Sequence, residues 1–181
     1  DGVIAILITI MVLELRSPEG DGWEALRPLL PVFLTYVLSF VYIGIYWNNH
    51  HHMLHAAARV NGKVLWANLH LLFWLSLVPF ATTWMGETSF ASWPVALYGI
   101  IQLMAGVAYY ILARQLVYLH GAESTFGKAL GRDVKGKTSV VIYALAVPVA
   151  FLNSWIAFAM FVAVAVMWLI PDRRFERVVR D

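Results

Sequence analysis

Long apolar stretches separated by short polar connectors leave this chain few ways to fold. Windows of roughly 17 to 25 apolar residues, the length that crosses a hydrocarbon core of about 30 Å as a helix, lie near Leu29–Asn49, Val64–Trp84 and Pro94–Leu119. A last apolar block runs from Thr138 to Ile170; as a single helix it would reach about 48 Å, well past that core. Pro148 and the Asn153-Ser154 pair mark where it folds back. The opening run, DGVIAILITIMVLEL, is too short to cross alone, so further residues are expected upstream of Asp1. It lacks the basic start and small-residue cleavage site of a signal peptide. With 61% hydrophobic residues, 13% charged and a mean hydropathy of +0.70, the chain has the profile of a polytopic membrane protein, and no cysteine is present for disulfides or thiolate metal sites.

The expected fold class is therefore all-α, one domain over 1–181, with six transmembrane helices near 1–15, 29–50, 64–84, 94–119, 138–152 and 154–170 and a tail at 171–181. Charge placement supports the split of the last block. With six crossings, Arg59, Lys63, Arg114, Lys128, Arg132, Lys135, Lys137, Arg173, Arg174, Arg177 and Arg180 fall on one side, and of the 13 cations only Arg16 and Arg27 lie opposite. The positive-inside rule then places both termini in the cytoplasm. The outer loops carry Glu19, Asp21, Glu24 and Glu87, either solvated loop residues or a weak source of local cation enrichment. The stretch GAESTFGKALGRDVKGK reads as an inner connector whose basic residues suit anionic headgroups. Most of the tryptophans fall near expected helix ends, as an aromatic belt does.

Three polar features invite a chemical reading. The run NNHHHMLH, Asn48 to His55, sits at the inner end of the second span, with His51 and His55 on one helical face. One reading is a metal-dependent membrane enzyme built on His50, His51, His52 and His55, although membrane di-iron enzymes use more histidines than the six present. The other is a juxtamembrane cluster that bonds helix ends and Asp1. Asn68 and His70, in the third span, serve either interhelical bonding or a polar pathway such as a proton-coupled transporter needs. Ser39, Tyr42 and Tyr46 share a face, with aromatic packing the default explanation. In the first helix Ile6, Thr9 and Leu13 are three and four positions apart and form one stripe. Thr9 is either a threonine bonded back to its own helix in a lipid-facing segment or a hydroxyl on a permeation path.

The segment DGVIAILITIMVLELRSP resembles the first helix of the potassium-channel family called transmembrane protein 175, whose longer motif reads Arg-x-x-x-Phe-Ser-Asp-Gly and of which this chain supplies Asp1-Gly2. YWNNHHHMLHAAARVNGKVLWANLHLLFWLSLVPF resembles the family's second-to-third-helix region. The resemblance implies a homotetramer in a bacterial plasma membrane, with the first helix of each subunit lining a central pore, K+ as the permeant ion, and neither a cofactor nor a nucleic-acid partner. Aligned on Asp1-Gly2, the family's constricting isoleucine falls on Ile6, its threonine on Thr9 and an outer apolar ring on Leu13. Its inner polar network joins Asp1 to one of His50, His51 or His52. No TVGYG-type carbonyl filter occurs, so the expectation is a hydrophobic ring that favours the less strongly hydrated K+ over Na+ to a moderate degree.

Overall fold

A computed structural model of the chain describes residues 1–121, 127 and 133–169. Lys128, Arg132, the four arginines from Arg173 to Arg180 and the expected tail lie outside the described residues. Those described are helical almost throughout: α1 (Gly2–Leu13), α2 (Leu30–His55), α3 (Gly62–Ser76), α4 (Val78–Glu87), α5 (Ser92–His120), α6 (Val134–Leu152) and α7 (Ser154–Leu169), with two single turns of 3-10 helix leading into α2. Among the described residues four continuous or nearly continuous spans, Trp23–His55, Gly62–Glu87, Ser92–His120 and Val134–Leu152, are long and apolar enough to cross a membrane; α1 and α7 are shorter apolar helices.

Local chemistry sets the boundaries. The expected third span is two helices, because Pro79 in the first turn of α4 has no N–H to offer and the chain bends at Leu77. The fold-back in the last block falls at Asn153, not at Pro148, which stays inside α6. Asn153 adopts an extended backbone (φ −157°, ψ 107°), and its Oδ1 accepts from the N–H groups of Trp155 (3.0 Å) and Ile156 (3.3 Å), so one residue ends α6 and caps α7. The stretch read as a connector up to Lys137 becomes helix from Val134, where the Asp133 carboxylate accepts from Gly136 N–H at 2.8 Å. Asn61 does the same for α3 through Val64 N–H at 3.0 Å.

Small residues let the helices approach, as expected where lipid removes the hydrophobic drive for association. Ala96, Ala105 and Ala108 of α5, Ala146 and Ala150 of α6 and Ala157 and Ala165 of α7 are all buried. A Cβ added at Gly86 would lie 2.7 Å from Val32 Cα, so α4 crosses α2 in near backbone contact. A buried polar chain ties α5, α2 and α4 together. Gln102 Nε2 donates to the Tyr98 hydroxyl (2.9 Å), which stands 3.0 Å from Ser39 Oγ; that oxygen is 2.7 Å from Thr82 Oγ1, which donates to Val78 O at 2.7 Å. Nearby, the Tyr42 hydroxyl donates to Phe161 O at 2.6 Å, fastening α2 to α7. These bonds account for Ser39 and Tyr42, two of the three residues on the polar face of α2 that the sequence singled out.

Candidate functional site

Helix α1 has two faces with different fates. Ile4, Leu7 and Met11, spaced by three and four, are buried against a platform formed by α2, α3 and α4. Ile6, Thr9 and Leu13 lie on the opposite side; Ile6 is 58% exposed and Leu13 79%, and Thr9 is exposed between them. The Thr9 hydroxyl donates to Ile6 O at 2.8 Å. That bond consumes its only proton, so the oxygen presents lone pairs alone to whatever meets this face, and the Ile6 carbonyl is occupied from within the helix.

The amino-terminal end of α1 is held by a junction of three helices. Asp1 Oδ1 lies 2.8 Å from His50 Nδ1 and Oδ2 lies 2.9 Å from His51 Nδ1, while His50 Nε2 lies 2.7 Å from Asn68 Oδ1. His50 is 1% exposed, so the chain Asp1–His50–Asn68, which links α1, α2 and α3, has a buried imidazole between an exposed carboxylate and a half-buried amide. Two hydrogen arrangements satisfy it. A doubly protonated ring donates to both oxygens; alternatively a neutral ring donates from Nδ1 to the carboxylate while Asn68, turned end for end, donates from its amide nitrogen to Nε2. His52 is directed elsewhere and meets the edge of His51 with ring centres 5.8 Å apart. Three consecutive residues project about 100° apart on a helix, so sequence alone left the choice among them open.

The alternative chemistries find no support in this geometry. His51 stacks on Trp47 with ring centres 5.5 Å apart and tilts against His55 at 4.5 Å, and among the described residues no group of three or more His, Asp or Glu side chains is arranged to hold a metal. His70 accepts from Trp74 Nε1 at 2.9 Å one turn along its own helix and takes no part in the junction. At the far end of the bundle Arg16 and Glu87, both exposed, lie 3.7 Å apart. The buried chain through Gln102 and Tyr98 escaped sequence reading, since isolated Gln and Tyr in an apolar helix give no periodic signal; the polar character of Gln102 within a span was the only available cue.

Comparison with known proteins bears on the family of the chain. A sequence model of the family described as "Endosomal/lysosomal potassium channel TMEM175" matches residues 1–79, which contain α1, the junction and α3. A potassium channel of Chryseobacterium sp. is 49% identical over 181 residues, covering 100% of this chain and 94% of that protein. A potassium channel of Streptomyces collinus is 40% identical over 91 residues, 48% of this chain and 44% of the relative. The crystal structure of a lysosomal potassium-selective channel TMEM175 homolog from Chamaesiphon minutus superposes with a TM-score of 0.78 at 25% identity, covering 94% of this chain and 92% of that one. With a full-length relative at that identity and a solved homologue of the same fold, the chain belongs to the TMEM175 family of potassium channels.

Proposed function

We propose that this protein is a K+-permeable cation channel in a bacterial plasma membrane, formed by four copies whose α1 helices surround a shared axis. Each copy crosses the membrane six times with both termini in the cytoplasm, α3 and α4 together making one crossing. The observation that carries the reading is the division of α1: Ile4, Leu7 and Met11 anchor the helix to its own protomer, leaving Ile6, Thr9 and Leu13 free on the other side. A helix fixed by one face presents the other to whatever lies on the axis.

Four Ile6 side chains form a narrow, poorly wetted ring that strips part of an ion's hydration and gates by dewetting. K+ loses less than Na+ there because its water is held less tightly. The Thr9 oxygens, bearing only lone pairs, replace some lost contacts for a cation and none for an anion. Leu13 forms the outer apolar ring. The Asp1–His50–Asn68 junction, with His51 on the second carboxylate oxygen, sets the angle at which α1 leaves the platform and so the width of the ring. Selectivity built this way is moderate, since no carbonyl cage enforces it.

Liposomes reconstituted with the protein and loaded with opposed K+ and Na+ gradients test the proposal. Flux of both cations with K+ favoured is the expected result. Absence of cation flux from protein that remains folded and tetrameric would overturn it.

A further inference from the structure

A cavity of about 340 Å³ lies where α2, α5, α6 and α7 meet, and it touches neither α1 nor the junction. Its volume is at the low end of the range for small-molecule pockets, about 300–1,000 Å³. Ring and aliphatic surfaces make most of the wall: Tyr46 and Tyr109 meet edge to face at 6.1 Å, Tyr42 and Tyr143 tilt together at 6.2 Å, and Val140 stands across from Gly106. Gly106 is what keeps the space open. A Cβ there would lie 3.5 Å from Val140 and 4.0 Å from the Tyr46 hydroxyl, ordinary contacts that a larger side chain would exceed.

Three polar groups on this wall are unmatched. The Tyr46 and Tyr109 hydroxyls and the Asn49 amide make no hydrogen bond among the described residues. Within a membrane such donors are costly unless an occupant accepts from them. The rim carries charge. Lys137 is exposed and pairs with no acid among the described residues, whereas Asp133 is turned onto the start of α6 as its cap. Beside them Trp168 donates from Nε1 to Ser139 Oγ at 2.8 Å, and Lys135 Nζ lies 5.9 Å from the Trp168 ring centre. An indole flanked by lysines marks headgroup depth. An apolar chamber, two hydroxyl donors part-way along it and an unmatched cation at the rim repeat the order of a glycerolipid: chain, ester, phosphate.

We propose that this cavity seats one acyl chain of an anionic glycerophospholipid, its ester carbonyls accepting from Tyr46 and Tyr109 and its phosphate resting at Lys137. The topology proposed above assigns that lipid to the cytoplasmic leaflet; binding itself does not depend on the assignment or on conduction.

Native mass spectrometry of the intact protein in mild detergent, titrated with phosphatidylglycerol or with phosphatidylcholine of the same chains, tests this without any flux measurement. Wild-type protein is expected to retain phosphatidylglycerol preferentially. Gly106→Leu, which fills the chamber, should abolish that retained lipid. In case the larger side chain disturbs folding, the near-isosteric pair Tyr46→Phe and Tyr109→Phe removes only the donors and should weaken retention of both lipids. Lys137→Gln should lower the preference for phosphatidylglycerol by about fivefold, the worth of one cation at an anionic surface, while the neutral lipid still binds. Equal retention by wild type and folded Gly106→Leu overturns the proposal, as does a preference untouched in Lys137→Gln. So does wild-type protein that carries no lipid, the outcome if a second copy of the chain covers this face.

Discussion

At the residue scale the proposed pore divides labour between shape and polarity along the exposed stripe of α1, and substitution separates them. In that pore Ile6→Asn would replace a dry aliphatic ring with one that holds water. Conductance should rise and the K+/Na+ permeability ratio should fall toward that of free diffusion, read as a shift of reversal potential under bi-ionic conditions. Thr9→Val keeps the branched shape and removes the oxygen. Each hydrogen-bonding contact is worth about 0.5–1.5 kcal/mol, so the permeability ratio should fall by about 2- to 13-fold with conductance nearly unchanged. An unaltered ratio would make Thr9 a packing residue, satisfied by its bond to Ile6 O. The stripe was legible because three- and four-residue spacing on a helix leaves one geometric reading. What covers it was not, since every neighbour in α1 is also apolar and composition marks no wet side. The same limit hid His50 among its neighbours: burial and the Asn68 partner, which depend on how α3 packs, distinguish it from His51 and His52.

At the scale of elements, close helix approach replaces the hydrophobic drive that lipid removes, and glycine positions test how close that approach must be. Gly86 allows α4 to lie against the α2 backbone, 2.7 Å being the distance a Cβ would find to Val32 Cα. Backbone cannot yield as a side chain can. Gly86→Ala should therefore force the helices apart and destabilise the protein by about 1–3 kcal/mol, seen as a lowered thermal transition in detergent. Gly106→Ala, with only ordinary contacts to make, should leave that transition within the scatter of wild type. Helix boundaries were legible where a capping side chain governs them, as at Asn153, and not where proline does: Pro79 starts a new helix and Pro148 stays inside one. Hydropathy marks the second span only to about residue 50, whereas α2 runs on through the histidine run to His55, as a shared helical face for His51 and His55 requires; there the rings find Asp1, Asn68 and one another.

At the scale of the whole molecule, the proposed assembly makes a prediction that the composition itself renders clean. The chain has no cysteine, so any single introduced thiol is the only one in each protomer. If four α1 helices share an axis, Ile6→Cys places its thiols on the inner wall of a narrow ring, where neighbouring Cβ atoms approach the distance of about 4 Å that a disulfide needs. Mild oxidation in the membrane should then yield covalent dimers, and no larger species, because each protomer offers one thiol. A charged thiol reagent should block K+ flux through Leu13→Cys, on the wider outer ring. Ile4→Cys is the control: Ile4 is fully buried against α2, α3 and α4, so its thiol should neither cross-link nor react. A lipid-facing stripe inverts the pattern, since thiols at Ile6 and Leu13 would be separated by whole protomers and shielded from an aqueous reagent by hydrocarbon. Cross-linking at Ile6 together with reactivity at Leu13 and silence at Ile4 therefore requires both that copies of α1 meet and that water runs between them, the two conditions on which conduction through this helix depends.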